Sequence, residues 1–294
     1  MALRTRISER QRRLGAELRR IREAREISTN EAAAMTGLRP PFMSNIEGGR
    51  TAISTERLRR LLEHYGDIST PYLEALVTMS ESSGKGWWSA YQERVHQHPL
   101  NLAELEAGSV TLWSYEPLLV PGLFQTEEYI RALFGDARPQ HATTEDAVSF
   151  RLDRQRILTG ENAPAVHAVI HEAALRMHYG GPDVMRRQLL HLIELARLPN
   201  VTIQVFPFRA RRYYSGASAP FLYLVPPIEE LATVVLDHPA HLLYRDSPEH
   251  LSQYRALFER LKGTALPPIA PSTAPEAQPV TGSLMLIQHL LYDL

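Results

Sequence analysis

The stretch from Ser28 to Arg50, STNEAAAMTGLRPPFMSNIEGGR, admits few folds. Ser28 is placed to N-cap a helix, and Glu31, three residues on, completes a capping box. Ala32, Ala33 and Met35 give that helix a small apolar face, and Ala33 suits the tight space where two helices cross steeply. Gly37 follows four residues later, where a turn needs a positive φ that only glycine adopts cheaply. Leu38 can plug the junction. Pro40 and Pro41 fit a first helical turn, whose amides have no intrahelical acceptor. Met43 and Ile46, three apart, face inward and leave Arg39, Phe42, Ser44 and Asn45 mostly outward. Gly48-Gly49 ends the second helix before Arg50. The spacing predicts a helix-turn-helix, and an ordinary helical hairpin would account for the same apolar positions.

Charge separates the two. Residues 1–66 hold 14 arginines and 8 acidic residues, a net +6, and the whole chain is −1, so the remainder is −7. One basic domain in a neutral chain is the footprint of a nucleic-acid binder. At 294 residues, two domains are expected. The absence of cysteine excludes a disulfide framework and a thiolate metal site. No apolar segment follows the arginine-rich start to form a secretory signal, and no apolar run approaches a membrane span. The expectation is a cytoplasmic, nucleoid-associated protein with no membrane contact.

In chain order, residues 1–7 read as a basic arm. Ser8 with Gln11 opens a helix whose stripe is Leu14, Leu18 and Ile21, with Arg12, Arg13, Arg19, Arg20 and Arg22 on its other faces as candidate phosphate contacts. Ser54 caps a helix carrying Leu58, Leu61, Leu62 and Tyr65, and Pro71–Met79 gives one more. This predicts an all-α domain over 1–79 and a linker over 80–86, SESSGKG. Residues 87–264 intersperse strands (near 109–115, 166–170, 201–206, 220–225 and 233–237) with helices that include 143–158, 182–197 and 248–262. The fold class expected is multidomain: an all-α helix-turn-helix domain and a mixed α/β domain. Residues 265–282, with five prolines, read as a disordered spacer, and 283–294 as an amphipathic tail that docks on its own protein or a second protomer.

Two resemblances attach to these residues. Leu14, Leu18, Arg19, Ile21 and Arg22, the spacing Ala33/Gly37/Leu38/Met43/Ser44/Ile46/Glu47, and Gly49-Arg50 resemble the XRE family, DNA-binding domains similar to the phage lambda repressor. Thr29 and Arg39 depart from that family's usual Gln and Ser, which touches base preference and not fold. Tyr115-Glu116 with Val120 to Thr126, Arg151 with Arg154-Gln155, His171 to Arg176, and Pro199 to Pro207 resemble the C-terminal domain of WhiJ-like actinobacterial regulators, also described as antitoxin-like. Together the resemblances cover about residues 1–264. They imply a DNA-binding transcriptional regulator whose second domain meets a small partner protein encoded nearby. The alternative is an antitoxin-like protein that sequesters that partner and regulates its own operon.

Candidate DNA-binding residues are Thr29, Arg39, Pro41, Phe42, Ser44, Asn45 and Arg50, on double-stranded DNA and as a homodimer. Candidate partner- or ligand-binding residues are Phe124, Gln125, Arg151, Arg154, Gln155 and Glu172. The loop is apolar and stiff, Arg151, Arg154 and Gln155 share a helix face, and Glu172 is the expected counter-charge. A structural ion-pair network explains the same set. No cofactor is expected. A metal-dependent hydrolase is a weaker alternative: His167, His171 and Glu172 approach a zinc motif, but Leu175 stands where its second helical histidine belongs. Neither a phosphate-cradling loop nor a nucleophile elbow is present.

Overall fold

The computed structural model describes residues 4, 6–135, 143–212, 214–238, 241–270 and 281–294. They form two compact units: Met1–Ser89 with Pro99–Leu105, and Ala90–His98 with Glu106–Leu294.

The first unit contains α1 (Glu9–Ala24), α2 (Thr29–Met35), α3 (Pro40–Glu47), α4 (Thr55–Tyr65) and α5 (Thr70–Glu81). Each expected cap forms. Ser8 and Ser28 make capping boxes with Gln11 and Glu31, and Ser54 caps α4. The turn between α2 and α3 is built by Gly37 at φ 66°. The Leu38 amide reaches the Ala33 carbonyl (2.8 Å) and the Gly37 amide that of Ala34 (3.1 Å), which satisfies carbonyls left free by the ending helix. Gly49, at φ 72°, ends α3 in the same way, with the Arg50 amide on the Asn45 carbonyl. The core holds Leu18, Ala32, Ala33, Met43, Leu58, Leu61, Leu62 and Leu76, all fully buried. The linker expected from Ser80 starts later, because α5 runs through Glu81. The Ser80 hydroxyl donates to the Val77 carbonyl and the Thr55 hydroxyl to the Glu81 carboxylate.

After a short 3-10 turn at Trp87–Tyr91 comes α6 (Gln97–Ala107), a helix the sequence reading did not anticipate. Its amphipathic contrast is weak, which hides it from periodicity.

The second unit is built on a six-stranded sheet of β1 (Thr111–Glu116), β2 (Ala165–His171), β3 (Val201–Phe206), β4 (Phe221–Val225), β5 (Thr233–Leu236) and β6 (Leu243–Arg245), in the order β3-β2-β1-β4-β5-β6. β1, β2 and β3 are parallel, and β4, β5 and β6 are each antiparallel to their predecessor in that order. The sheet is therefore mixed. The three-residue β6 lacks the apolar alternation that would mark it in sequence.

Alternation sets the two faces. Trp113, Tyr115, Val169, Phe221, Tyr223 and Val234 pack with Leu257, Phe258 and Leu261 of α11 (Pro248–Thr264). Trp113 stacks on Phe258 with centroids 5.4 Å apart. The opposite row, Leu112, Ala168, Ile170, Ile203 and Val205, is fully buried as well. The remaining helices of this unit are α7 (Glu127–Phe134), α8 (Thr144–Gln155), α9 (Glu172–Arg176), α10 (Pro182–Leu195) and α12 (Ser283–Asp293).

The edge of β3 is closed by residues expected to be spacer. The Leu266 amide bonds the Val205 carbonyl and the Ile269 amide that of Ile203, both at 2.9 Å. Pro267 and Pro268 in between cannot extend the ladder, so the edge is capped against further pairing. The rest of the expected spacer, 271–280, lies outside the described residues, as does most of the N-terminal arm. The tail docks on its own unit: the Ser283 hydroxyl accepts from the Val205 amide (2.9 Å), and Leu284, Ile287 and Leu290 are buried.

Candidate functional sites: a nucleic-acid interface and a buried polar network

The position of α3 is fixed from α1. The carboxylate of Glu47 receives two bonds from the Arg22 guanidinium, 2.6 and 3.0 Å, with both side chains more than nine-tenths buried. Arg22 also donates to the Ile27 carbonyl. At Gly15 the α1 backbone comes so close that a Cβ there would sit 2.3 Å from the Glu47 carbonyl oxygen, so glycine is the residue that fits.

Held this way, α3 turns Arg39, Pro41, Phe42 and Ser44 to solvent, with Asn45 half-buried. Thr29 lies at the first position of α2, half-buried, and Arg50 is exposed beyond the end of α3. The Asn45 side-chain amide has no hydrogen-bond partner among the described residues; only its main-chain carbonyl is engaged, by the Arg50 and Thr51 amides. It therefore keeps its donor pair and its acceptor for a ligand.

The arginines of the first helix do other work than the phosphate contact expected of them. Arg12 pairs with Glu9, Arg13 and Arg20 with Glu17, and Arg19 with Glu23, while Arg22 holds Glu47. Arg13 and Arg22 are buried. The helix reads as basic in sequence, but its carboxylates, three or four residues away, neutralise it. Arg6, Arg39, Arg50 and Arg57 have no ion-pair partner among the described residues. Two of these four flank α3, so the uncompensated positive charge gathers at the helix whose outer face is free.

In the second unit the expected loop and arginine face do meet, but in the interior. Phe124 is fully buried and Gln125 is 3 % exposed. The Gln125 side chain donates to the Val120 carbonyl (2.7 Å) and accepts from Arg151 (2.9 Å). Gln155 donates to the carbonyls of Gln125 and Gly122. From α10, Gln188 donates to the Phe124 carbonyl and accepts from the Thr126 amide, so that helix-start amide is already satisfied. Arg154 makes two 2.6 Å bonds to Glu106, a carboxylate 1 % exposed. Burial works against the Arg154 charge, and Glu106 more than offsets it.

Glu172, expected as the counter-charge, is not among these residues. It pairs with Arg176 (2.8 Å) and accepts from the Phe208 amide. It opens α9, one turn before Arg176 on the same helix, and an i,i+4 partner is the nearer choice. The histidines of the metal alternative are also engaged: His167 bonds Gln204 (2.7 Å), and His171 accepts from the Ala173 amide. Among the described residues no group of three or more histidines and carboxylates could hold a metal ion.

Sequence reasoning passed over Glu116, the last residue of β1. It keeps some contact with solvent while protein surrounds it on nearly every side, and no described residue hydrogen-bonds or ion-pairs with it. Burial first, and the charge of Asp237 second, push its carboxyl from the ordinary 4.5 to about 8, against the opposing pull of Arg154. Arg151 is its mirror image. Burial and the neighbouring Arg154 bring its guanidinium down to about 10, against the pull of Asp237, and it stays cationic at neutral pH. The one sequence signal is that Glu116 and Asp237 are each the first charged residue after an apolar strand.

A raised carboxyl has a definite linkage sign. The folded chain keeps the Glu116 proton up to about 8, whereas the unfolded chain releases it near 4.5. Stability from this group is therefore full below the lower value and is lost as pH rises through the upper one. Denaturant melts of the second unit should show it less stable at about pH 9 than at about pH 6, by on the order of a few kcal/mol, with Glu116→Gln removing most of the difference. An unchanged profile in that variant would assign the dependence to other groups.

An exposed helix face bearing a free amide, flanked by unpaired arginines on a glycine-turned helix pair, defines a class. In agreement, residues 13–66 match the model of a helix-turn-helix domain, and the protein is a DNA-binding regulator of helix-turn-helix type. Residues 100–273 match the model of a domain of unknown function, DUF5753, and the chain belongs to that family. No curated protein and no solved structure gave a match. No helix among the described residues is long and apolar enough to cross a membrane.

Proposed function

We propose that the protein is a sequence-specific transcriptional regulator in which α3 enters the major groove of double-stranded DNA. The observation that carries this is the free Asn45 amide on a helix face whose flanking arginines have no internal partners. Asn45, Ser44 and Arg39 would read base edges, since amide and guanidinium groups pair bidentately with adenine and guanine. Phe42, 36 % exposed, would touch a thymine methyl beside Pro41, and Thr29 and Arg50 would hold phosphates. The XRE resemblance supports the same docking. Chromatin immunoprecipitation with sequencing, followed by selection on random duplexes with the purified chain, tests it. A shared pseudo-palindrome with half-sites about one helical turn apart is expected, and recovery of unrelated sequences in proportion to input would contradict it.

One such module reads a half-site, so the working form would be a homodimer in the cytoplasm, on the nucleoid. Leu190 on α10 and Met285 and Tyr292 on α12 are large apolar side chains left exposed on two helices that pack together. They supply a self-complementary patch. Sedimentation should give a dimer at micromolar concentration, with Tyr292→Asp shifting it toward monomer; a wild-type monomer binding one chain per site would overturn this.

The second unit would receive the signal that sets DNA affinity, from a small partner protein encoded nearby, as the WhiJ-like resemblance implies, or from a ligand. It would not be an enzyme. Phe124, Gln125, Arg151, Arg154 and Gln155 would serve there mainly by shaping the interior and less as a docking face. Pull-down with the products of adjacent small genes checks the partner.

A further inference from the structure

The sheet changes direction at β1. The chain adds β2 and β3 on one side of it, then returns to place β4, β5 and β6 on the other. In open α/β sheets, ligands settle outside the carboxyl ends of strands at such a reversal. β1, β2, β3 and β5 all end at this edge.

Glu116 closes β1 and Asp237 follows β5. The last paired residues, Tyr115 with Phe221 and Phe221 with Leu236, put both carboxylates at the level of Pro220, two strands apart. Alternation turns both away from the α11 face, since Tyr115 and Leu236 pack on that face. Asp237 is exposed and Glu116 lies deep, so one forms the rim and the other the floor. Arg154 and Asp237 act electrostatically on both Glu116 and Arg151. The four charges therefore share one crevice.

Its members are unequally satisfied. Arg154 is committed to Glu106. Arg151 rests on the Phe134 ring, 5.0 Å from its centroid, and gives one hydrogen bond to Gln125. No carboxylate among the described residues contacts it, so several N–H donors of a fixed, deep fork remain. Glu116 has no cation and no donor. An unpaired acid and an unpaired guanidinium at this depth cost stability with no internal return, a pattern found where a ligand completes the pairing.

We propose that this crevice binds a small zwitterion, an amino-carboxylate whose ammonium sits between Glu116 and Asp237 and whose carboxylate takes the free edge of Arg151. This rests on the second unit being the signal-receiving half. A ligand ammonium favours ionised Glu116, so its proton leaves to solvent on binding at neutral pH. The complex gains two charge pairs with no change in the crevice's net charge.

The test uses the full chain and isothermal titration calorimetry at pH 7. The probes are the twenty common L-amino acids, 4-aminobutyrate and 6-aminohexanoate, with the N-acetyl and amide form of any that binds. At least one free amino-carboxylate should bind at millimolar concentration or better, and both blocked forms should lose at least about tenfold. The binding enthalpy should depend on the ionisation enthalpy of the buffer, reporting release of about one proton. Glu116→Gln, which keeps shape and removes charge, should lose at least about tenfold in affinity while melting no lower than wild type. Arg151→Met should erase the preference for the free carboxylate over the amide. Silence across the panel, a buffer-independent enthalpy, or equal binding of blocked and free forms each overturns the proposal. DNA affinity measured on the same preparation separates the failures: intact DNA binding with no zwitterion binding removes the crevice ligand and leaves the regulator standing.

Discussion

Replacing Glu47 with alanine should destabilise the helical first unit by about 3–5 kcal/mol. The substitution leaves the Arg22 guanidinium, 9 % exposed, with the Ile27 carbonyl and the more exposed Glu23 as its only remaining partners. A buried charge stripped of its partner pays its full desolvation cost, which exceeds the net worth of the intact pair. The same bonds tie the end of α3 to α1, so the DNA-facing helix would lose its seat along with the stability. Denaturant unfolding followed by circular dichroism of a fragment is unnecessary, since the full chain shows the loss as an earlier transition. The double variant Arg22→Met/Glu47→Leu should recover most of the stability, because two well-packed apolar side chains replace a desolvated pair. Additive losses in the double variant would show that the pair is not the unit that matters.

Arg154→Ala should cost the second unit a comparable amount, about 3–5 kcal/mol, by leaving Glu106 charged and 1 % exposed. The change also opens space beside Gly122, whose hypothetical Cβ lies 3.2 Å from the Arg154 guanidinium. The Val120 to Thr126 loop then loses a wall while keeping its bonds from Gln155 and Gln188. The prediction is a lowered thermal midpoint with the fold retained in the cold. Glu106→Gln should be milder, since the amide still accepts from the guanidinium. A stable Arg154→Ala protein would mean that the arginine is a surface contact and not a structural one.

How far the residues alone reveal this molecule depends on the range of the interaction. Local signals carried through: the capping boxes at Ser8 and Ser28, the glycine turn at Gly37 and the apolar stripe of α4 all form, because each is settled within a few residues. β3 appears over Val201–Phe206, as its β-branched run predicts. What failed was partner choice across the chain. Arg12, Arg13, Arg19, Arg20 and Arg22 look alike as a basic helix, and only folding shows each one matched to a carboxylate. Glu106 outcompetes Glu172 for Arg154 because α6, which sequence periodicity concealed, brings it there. Glu116 is invisible for the converse reason: its distinction is the partner it lacks, which exists only once the sheet has formed. On the DNA side, the outward set Arg39, Phe42, Ser44 and Asn45 follows directly from the inward pair Met43 and Ile46.

The claim that α3 reads bases is tested most directly by Asn45→Ala. Fluorescence anisotropy would compare wild type and variant on the selected duplex and on a scrambled one of the same length, across a salt series. Loss of about 1–3 kcal/mol on the selected duplex is expected, with scrambled-duplex binding and its salt slope unchanged, because an amide that pairs with a base carries specificity and not phosphate affinity. Equal loss on both duplexes would place Asn45 on the backbone and contradict base reading by this helix.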